Sequence, residues 1–248
     1  NVDNCDNDEP KYYLPYNATL VDAIRELTDV PVVIGGTGTS LDPERVLDVV
    51  GADLAVAGPG DKVFVDLYRR LVEGGEQIGD VPRVSYGGPE DGEETPGPQF
   101  ARWLNLRPYR WMAVPISAQS RRGCPFRCVY CEYAHLEGRS PYLLRDVDAV
   151  VDTIDRNVRS TGTKIVEFVD STFNAPPKYS IELCEALARS KVARAYHASG
   201  INPRFGQLEV LEAMKEAGFT AVYCSPDAAT PATIEGYRKD FTMDQLLT

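Results

Sequence analysis

Arg121-Arg122-Gly123-Cys124-Pro125-Phe126-Arg127-Cys128-Val129-Tyr130-Cys131 places three thiols at the spacing C-x3-C-x2-C. Thiolates suit soft metals, and a loop this short can wrap three of them around one zinc ion or one iron–sulfur cluster. A closed structural zinc site takes four ligands; the nearest further candidate is His135, so a zinc loop of three cysteines and one histidine is one reading. A metal centre held by three cysteines, with one coordination position left open to substrate, is the other. Packing three cysteines into eight positions beside arginines would be a poor way to fill a core. Arg121, Arg122 and Arg127 read as a solvated basic edge, with attraction of an anionic substrate or an electron donor as the functional alternative.

On both sides of this loop, short apolar runs alternate with helical periodicity. Trp111 to Ser117 is expected as the strand entering the loop. After Asp146, the residues Val147, Val150, Val151 and Ile154 recur at helical spacing. Lys164 to Asp170 reads as a strand, Ser180 to Ala188 as a helix, and Ala193 to Ser199 as a strand. Gln207 to Ala217 reads as a helix ended by Gly218, and Thr220 to Cys224 as a strand. Repeated βα units of this length predict part of a TIM-like barrel, in which the carboxyl ends of strands face the site. The segments at those ends carry Asp170-Ser171-Thr172, Asn202-Pro203-Arg204 and Ser225-Pro226-Asp227. Asp170 and Ser171 equally suit a helix cap. His197, inside a strand, reads as a satisfied core histidine.

Upstream, Leu20, Ile24 and Leu27 share one face of a helix expected over residues 18 to 28. Pro31 to Ile34 follows as a strand running into Gly35-Gly36-Thr37-Gly38-Thr39-Ser40. Asp42-Pro43-Glu44 opens a helix carrying Val46, Leu47, Val49 and Val50. Asp53 to Ala57 reads as a strand ending in Gly58-Pro59-Gly60-Asp61, and a helix from Lys62 to Glu73 turns Val63, Phe64, Leu67 and Leu71 inward. This alternation predicts a doubly wound α/β sheet whose glycine-rich turns lie where ligands approach. Residues 74 to 100, rich in Gly, Pro, Glu and Asp, read as a linker. The expected organisation is a first domain over 1–73, a linker over 74–108 and a second domain over 109–248.

The cysteine loop, with Gly123 and Pro125 around its first thiol and Tyr130 before its last, resembles the signature of radical S-adenosylmethionine (SAM) enzymes. The resemblance implies that Cys124, Cys128 and Cys131 ligate a [4Fe–4S] cluster whose fourth iron takes SAM. It places Phe126, Tyr130, Asp170, Ser171, Thr172, Asn202, Arg204, Ser225 and Asp227 around SAM, with Tyr130 beside the adenine and Arg204 a partner for the SAM carboxylate. The first domain is similar to the later half of the cobalamin-binding, Rossmann-like domain that precedes many radical SAM cores. That similarity implies cobalamin contacts from Asn1, Asp3 and Asn4, from Gly35, Gly36 and Thr37, and from Gly58, Gly60 and Asp61. The turn at Gly58 departs from that family's Gly-Glu-Gly-Glu. Together the resemblances imply a cobalamin-dependent methyltransferase acting on a carbon or phosphorus centre of a small molecule or natural-product precursor, tryptophan being one candidate, and supplied by a flavodoxin- or ferredoxin-type electron donor. A cyclase or methylthiotransferase without cobalamin and a non-catalytic zinc module are the alternatives.

With 43% apolar residues in 248, the chain can build sizeable cores. A net charge of -11 argues against nucleic acid held by general electrostatics. No run of eighteen apolar residues occurs, so no membrane partner is expected. The remaining cysteines, Cys5, Cys184 and Cys224, are scattered, which suits a reducing cytoplasm better than a disulfide framework. An opening at Asn1 and a closing segment, Met243 to Thr248, that reads as the first turn of a helix lead to the expectation of a piece of a longer protein.

Overall fold

The computed structural model describes residues 11–88, 100–106, 108, 111–112, 114–136 and 142–247. They form two compact units, one built by residues up to 88 and the other by the rest, Leu136 excepted. Asn1, Asp3, Asn4 and Cys5 lie outside the described residues.

In the first unit α1 (Leu14–Arg25), β1 (Val33–Gly35), α2 (Thr37–Leu41), α3 (Pro43–Val50), β2 (Leu54–Ala57), α4 (Val63–Tyr68) and β3 (Val84–Tyr86) follow in order. The strands pair in parallel as β1-β2-β3. All four residues of β2 are buried because helices cover both faces of the sheet. Ala55 packs with Leu14, Val21, Val46 and Leu47, whereas Leu54 and Val56 pack with Leu67 and Val81. An apolar run without alternation is what a strand covered on both sides requires. Helix α3 begins and ends where its sequence dictates. The Asp42 carboxylate accepts from the Arg45 N–H, Pro43 occupies the first turn, and Gly51 closes the helix in the left-handed region.

Three expectations for this unit are corrected. Helix α1 starts earlier, with a proline in its first turn, and buries Leu14 and Val21; Leu20, Ile24 and Leu27 are exposed. Leu67 of α4 is buried, but Phe64 is exposed and the chain continues from Arg69 to Glu73 as a π-helix, so the inward stripe is narrower than a single α-helix would give. Val84–Tyr86, inside the span read as linker, adds the third strand beside β2. Three residues hemmed by proline and glycine are too short to show a period.

The second unit contains α5 (Phe100–Trp103), β4 (Ile116–Ala118), β5 (Arg121–Arg122), α6 (Tyr133–Leu136), β6 (Leu143–Leu144), α7 (Val147–Thr161) and β7 (Ile165–Phe168). It continues with α8 (Pro177–Ser190), β8 (Ala195–Ala198), α9 (Leu208–Ala217), β9 (Phe219–Val222), α10 (Pro231–Gly236) and α11 (Met243–Leu247). Four strands form a parallel sheet in the order β4-β7-β8-β9, while β5 and β6 make a short antiparallel ladder. One face of the sheet carries the core. Val166, Phe168, Tyr196 and Ala198 pack against Val150 and Ile154 of α7, Leu183 and Leu187 of α8, and Val210 and Met214 of α9. The row Ser117, Glu167, His197 and Ala221, aligned in register, alternates with those residues and occupies the opposite face. His197 is therefore half-buried on the face away from the helices and is no core residue. Trp111 and Met112 are exposed, and the strand begins only at Ile116, just past Pro115.

Candidate functional site

The cysteine loop leaves the carboxyl end of β4, and the segments following β7, β8 and β9 meet it there. They enclose a recess of about 180 Å³. Cys124, Cys128 and Cys131 all line it, together with Phe126, Tyr130, Ser171, Thr172, Asn202 and Ser225. All three thiols are free, with Cys124 buried and the other two half-buried. Among the described residues no three Cys, His, Asp or Glu side chains converge closely enough to hold a single metal ion. Burial pushes the Cys124 and Cys128 thiols up, so a positively charged soft centre would be needed to hold them as thiolates.

Beneath the recess lies a buried charge pair. Arg121 is fully buried and Asp170 is 3% exposed. The Asp170 carboxylate accepts from the Ser120 N–H at 2.8 Å, the Ser120 hydroxyl at 2.7 Å and the Arg121 N–H at 3.1 Å. Burial pushes the carboxyl up, opposed by the Arg121 charge and these donors. The guanidinium donates through Nε to Ser120 at 3.0 Å and through Nη1 to the Ala175 carbonyl, and lies over the rings of Tyr179, Phe173 and Tyr142. Two expectations are corrected here. Arg121 is no solvated edge, Arg127 being the exposed member of the three arginines, and Asp170 turns away from the recess to brace the turn that launches the cysteine loop. Ser171, its neighbour, does reach the loop, donating to the Gly123 carbonyl at 3.1 Å.

Asn202 and Asn174 clamp each other reciprocally: the Asn202 N–H donates to Asn174 Oδ1 at 2.9 Å, and Asn174 Nδ2 to the Asn202 carbonyl at 2.8 Å. Between them the chain comes so close that a side chain at Gly200 would lie 2.7 Å from the Asp170 carbonyl. Arg204 and Asp227, expected around SAM, are not in the wall of the recess. Arg204 pairs with Asp240 at 2.7 Å, and Asp227 is engaged by Lys239 and by the Tyr130 hydroxyl at 2.6 Å.

Other residues of the site escaped the sequence reading. Lys239, Asp240 and Phe241 come from the segment after α10 and line the recess. Ser199, also in its wall, donates to Glu167 Oε1 at 2.5 Å and links the recess to the polar row of the open sheet face. Glu167 and Ser199 could have been found, because they alternate with the core positions of their strands; nothing local in the sequence singles out Lys239.

The first unit has its own groove of about 370 Å³, walled by Leu20, Ile24 and Val32 and by Gly35, Gly36 and Thr37 at the end of β1. Gly58, Gly60 and Asp61 do not line it. Gly58 has a backbone reason of its own: φ is +77°, and a Cβ would sit 2.6 Å from the Gly87 carbonyl oxygen, where the N–H of Gly87 pairs with Ala57.

A family model described as the Radical SAM superfamily matches residues 119–245, just over half of the chain. An uncharacterised methyltransferase of Pyrococcus horikoshii is 28% identical over 233 residues, 88% of this chain and 50% of that protein. The tryptophan 2-C-methyltransferase of Streptomyces laurentii is 46% identical over 55 residues, 22% of this chain and 9% of that enzyme. The solved structure of the radical SAM methyltransferase TsrM from Kitasatospora setae, with tryptophan and a SAM analogue bound, superposes with a TM-score of 0.78. That superposition covers 95% of this chain and 50% of the other at 20% identity, and shows a common α/β fold. This chain spans about half the length of the Pyrococcus protein and less of the Streptomyces one. The family match opens at the turn into the cysteine loop and closes beyond Phe241, so it takes in every segment that walls the recess, and the chain belongs to the radical SAM superfamily.

Proposed function

We propose that this chain forms part of a cobalamin-dependent radical SAM methyltransferase that delivers a methyl group to a carbon or phosphorus centre of a small molecule or natural-product precursor, tryptophan being one candidate. The observation that carries the reading is the convergence of three free thiols on one recess at the carboxyl end of a parallel sheet. The names of the relatives, methyltransferases in two lineages, support the transfer of a methyl group. In this reading the first unit is the later part of a Rossmann-like cobalamin domain. The second is the opening part of a TIM-like barrel, which the one-sided cover of helices supports.

The donor sets fit the groups. Cys124, Cys128 and Cys131 would hold a [4Fe–4S] cluster, soft ligands for a soft centre. Ser171, Thr172, Asn202 and Ser225 offer hydrogen-bonding groups to the polar part of SAM, and Phe126 and Tyr130 offer ring surface to its adenosyl part. Gly35, Gly36 and Thr37 would meet cobalamin. At Gly36, with φ +97°, a Cβ would have nothing within 4 Å, so bare backbone faces open space beside apolar walls. Bound together, these groups supply reductive activation of SAM and a cobalt carrier for methyl. The protein's share is to exclude water with Phe126 and Phe241, and to fix the loop through the Asp170 brace. A flavodoxin- or ferredoxin-type donor, a cytoplasmic setting and no nucleic-acid partner complete the reading.

The test is metal and corrin analysis of the intact protein, purified without oxygen and reconstituted with iron, sulfide and hydroxocobalamin. About four irons and about one cobalt per chain are expected. Iron without cobalt removes the methyl-carrier role, and zinc without iron overturns the reading.

A further inference from the structure

Lys239 is the cation that the described residues bring to the wall of the cysteine recess. Its side chain is only 9% exposed, and its ammonium bonds the Asp227 carboxylate and the Ser225 carbonyl, the latter at 3.2 Å. The ammonium also lies 5.0 Å from the centroid of the Tyr130 ring and 5.7 Å from that of Phe241. The Tyr130 hydroxyl donates to the same Asp227 oxygen that faces the lysine. Tyr130 stands between Cys128 and Cys131 in the loop, and its neighbour Val129 donates its N–H to the Tyr237 carbonyl at 3.0 Å. The segment from Ser225 to Phe241 is thus tied to the cysteine loop by a backbone bond, an edge contact between the Tyr237 and Tyr130 rings and a three-membered side-chain cluster. Its backbone is held in a costly shape at both ends of the tie: φ is +55° at Asp227 and +52° at Arg238, in the left-handed region that non-glycine residues enter rarely.

We propose that Lys239 is a positioning residue for the iron–sulfur site: braced by Asp227, it clamps the Cys128–Cys131 segment and fixes a positive charge in the wall of the recess that favours the reduced state of a cluster bound there. The proposal rests on the cluster reading given above. Reduction adds one electron, taken from the low-potential flavodoxin- or ferredoxin-type donor, and so adds one negative charge to the site. A fixed cation at low exposure stabilises that product more than the oxidised state.

The experiment is a redox titration of the reconstituted intact protein, followed by electron paramagnetic resonance of the reduced cluster, with iron content measured in parallel. Lys239→Met is expected to lower the ratio of reduced to oxidised cluster about tenfold at a fixed potential, a midpoint about 59 mV more negative for one electron. Lys239→Arg, which keeps the charge, is expected to stay near wild type. Asp227→Asn removes the opposing charge at nearly constant size and is expected to move the midpoint the other way, which a merely loosened loop would not do. An unchanged midpoint in Lys239→Met at full iron content overturns the proposal, as do shifts of the same sign in Lys239→Met and Asp227→Asn. If Lys239→Met loses its iron, the sign of the Asp227→Asn shift still decides. A wild-type protein that takes up no iron overturns the cluster reading and the proposal with it.

Discussion

Replacing Asp170 by alanine tests whether the buried pair under the cysteine loop is what shapes it. In the native fold the carboxylate takes three hydrogen bonds, two from backbone N–H groups of Ser120 and Arg121 and one from the Ser120 hydroxyl, and it offsets a guanidinium with no exposure to solvent. Arg121 is already short of partners, since its Nη2 is buried without one. The two buried charges are bridged by the Ser120 hydroxyl rather than in direct contact, and removing one of two buried opposite charges costs about 3–5 kcal/mol, because the other is left uncompensated in a poor dielectric. The orphaned N–H groups belong to the same event, so their cost is contained in that figure rather than added to it. The expected loss for Asp170→Ala is therefore about 3–5 kcal/mol in the second unit. Hydrogen exchange of peptides covering β7 and β8, followed across urea, reads that unit without mixing in the first. Adding Arg121→Met to the same protein removes the stranded cation and is expected to restore about 1–3 kcal/mol. A loss below about 1 kcal/mol for Asp170→Ala, or a double variant no more stable than the single, would refute the reasoning.

Gly58→Ala is expected to cost the first unit about 1–3 kcal/mol, because φ of +77° and the Gly87 carbonyl leave no room for a methyl group; urea unfolding followed by exchange in β2 measures it. Asp53 gives that unit a pH dependence. Burial alone would raise its carboxyl, but the Val32 N–H and Arg25 outweigh it and hold the pKa below the ordinary value. A depressed folded pKa stabilises above the unfolded value of about 3.9 and loses that contribution as pH falls through the folded value, so the stability gap between wild type and Asp53→Asn should narrow from about pH 6 to about pH 3. A constant gap would contradict this. Leu183→Ala, at a fully buried core position, is expected to cost about 2–5 kcal/mol by denaturant titration. Cys131→Ser should abolish iron retention in the reconstituted protein while leaving the exchange of β7 and β8 unchanged, since its half-buried side chain is no part of the core.

The alternation of helix and strand was legible wherever one residue type dominated a face. Val147, Val150, Val151 and Ile154 announce α7, and Gly218, with φ of +97°, ends α9 where expected. Errors arose where two faces were both apolar or where an element was very short. In α1 the seven-residue spacing of Leu14 and Val21 makes the buried stripe, yet Leu20 and Ile24 present an equally good pattern and line an open groove instead. Periodicity says that a face is apolar; it does not say what covers it. The strand at Val84–Tyr86 has three residues, and no period can be read from three.

The site divides along the same physical line. The thiols and Ser171, Thr172, Asn202 and Ser225 were legible because a parallel sheet delivers its chemistry at the carboxyl ends of strands, so their position in a βα unit already implied the recess. Asp170 occupies such a position too, but its side chain turns inward to accept from the Ser120 and Arg121 N–H groups and the Ser120 hydroxyl. An arginine beside two others reads as surface until the fold shows three rings around it. Lys239 lies more than a hundred residues from the loop it touches, in a stretch without motif or period, and its role follows only from Tyr130 and Asp227 meeting it. Sequence thus reaches the proposed ligands, which local spacing must supply. The groups that set their charge environment come from pairings across the fold, and there a substitution such as Lys239→Met is expected to change the behaviour of the proposed cluster without touching any residue of its motif.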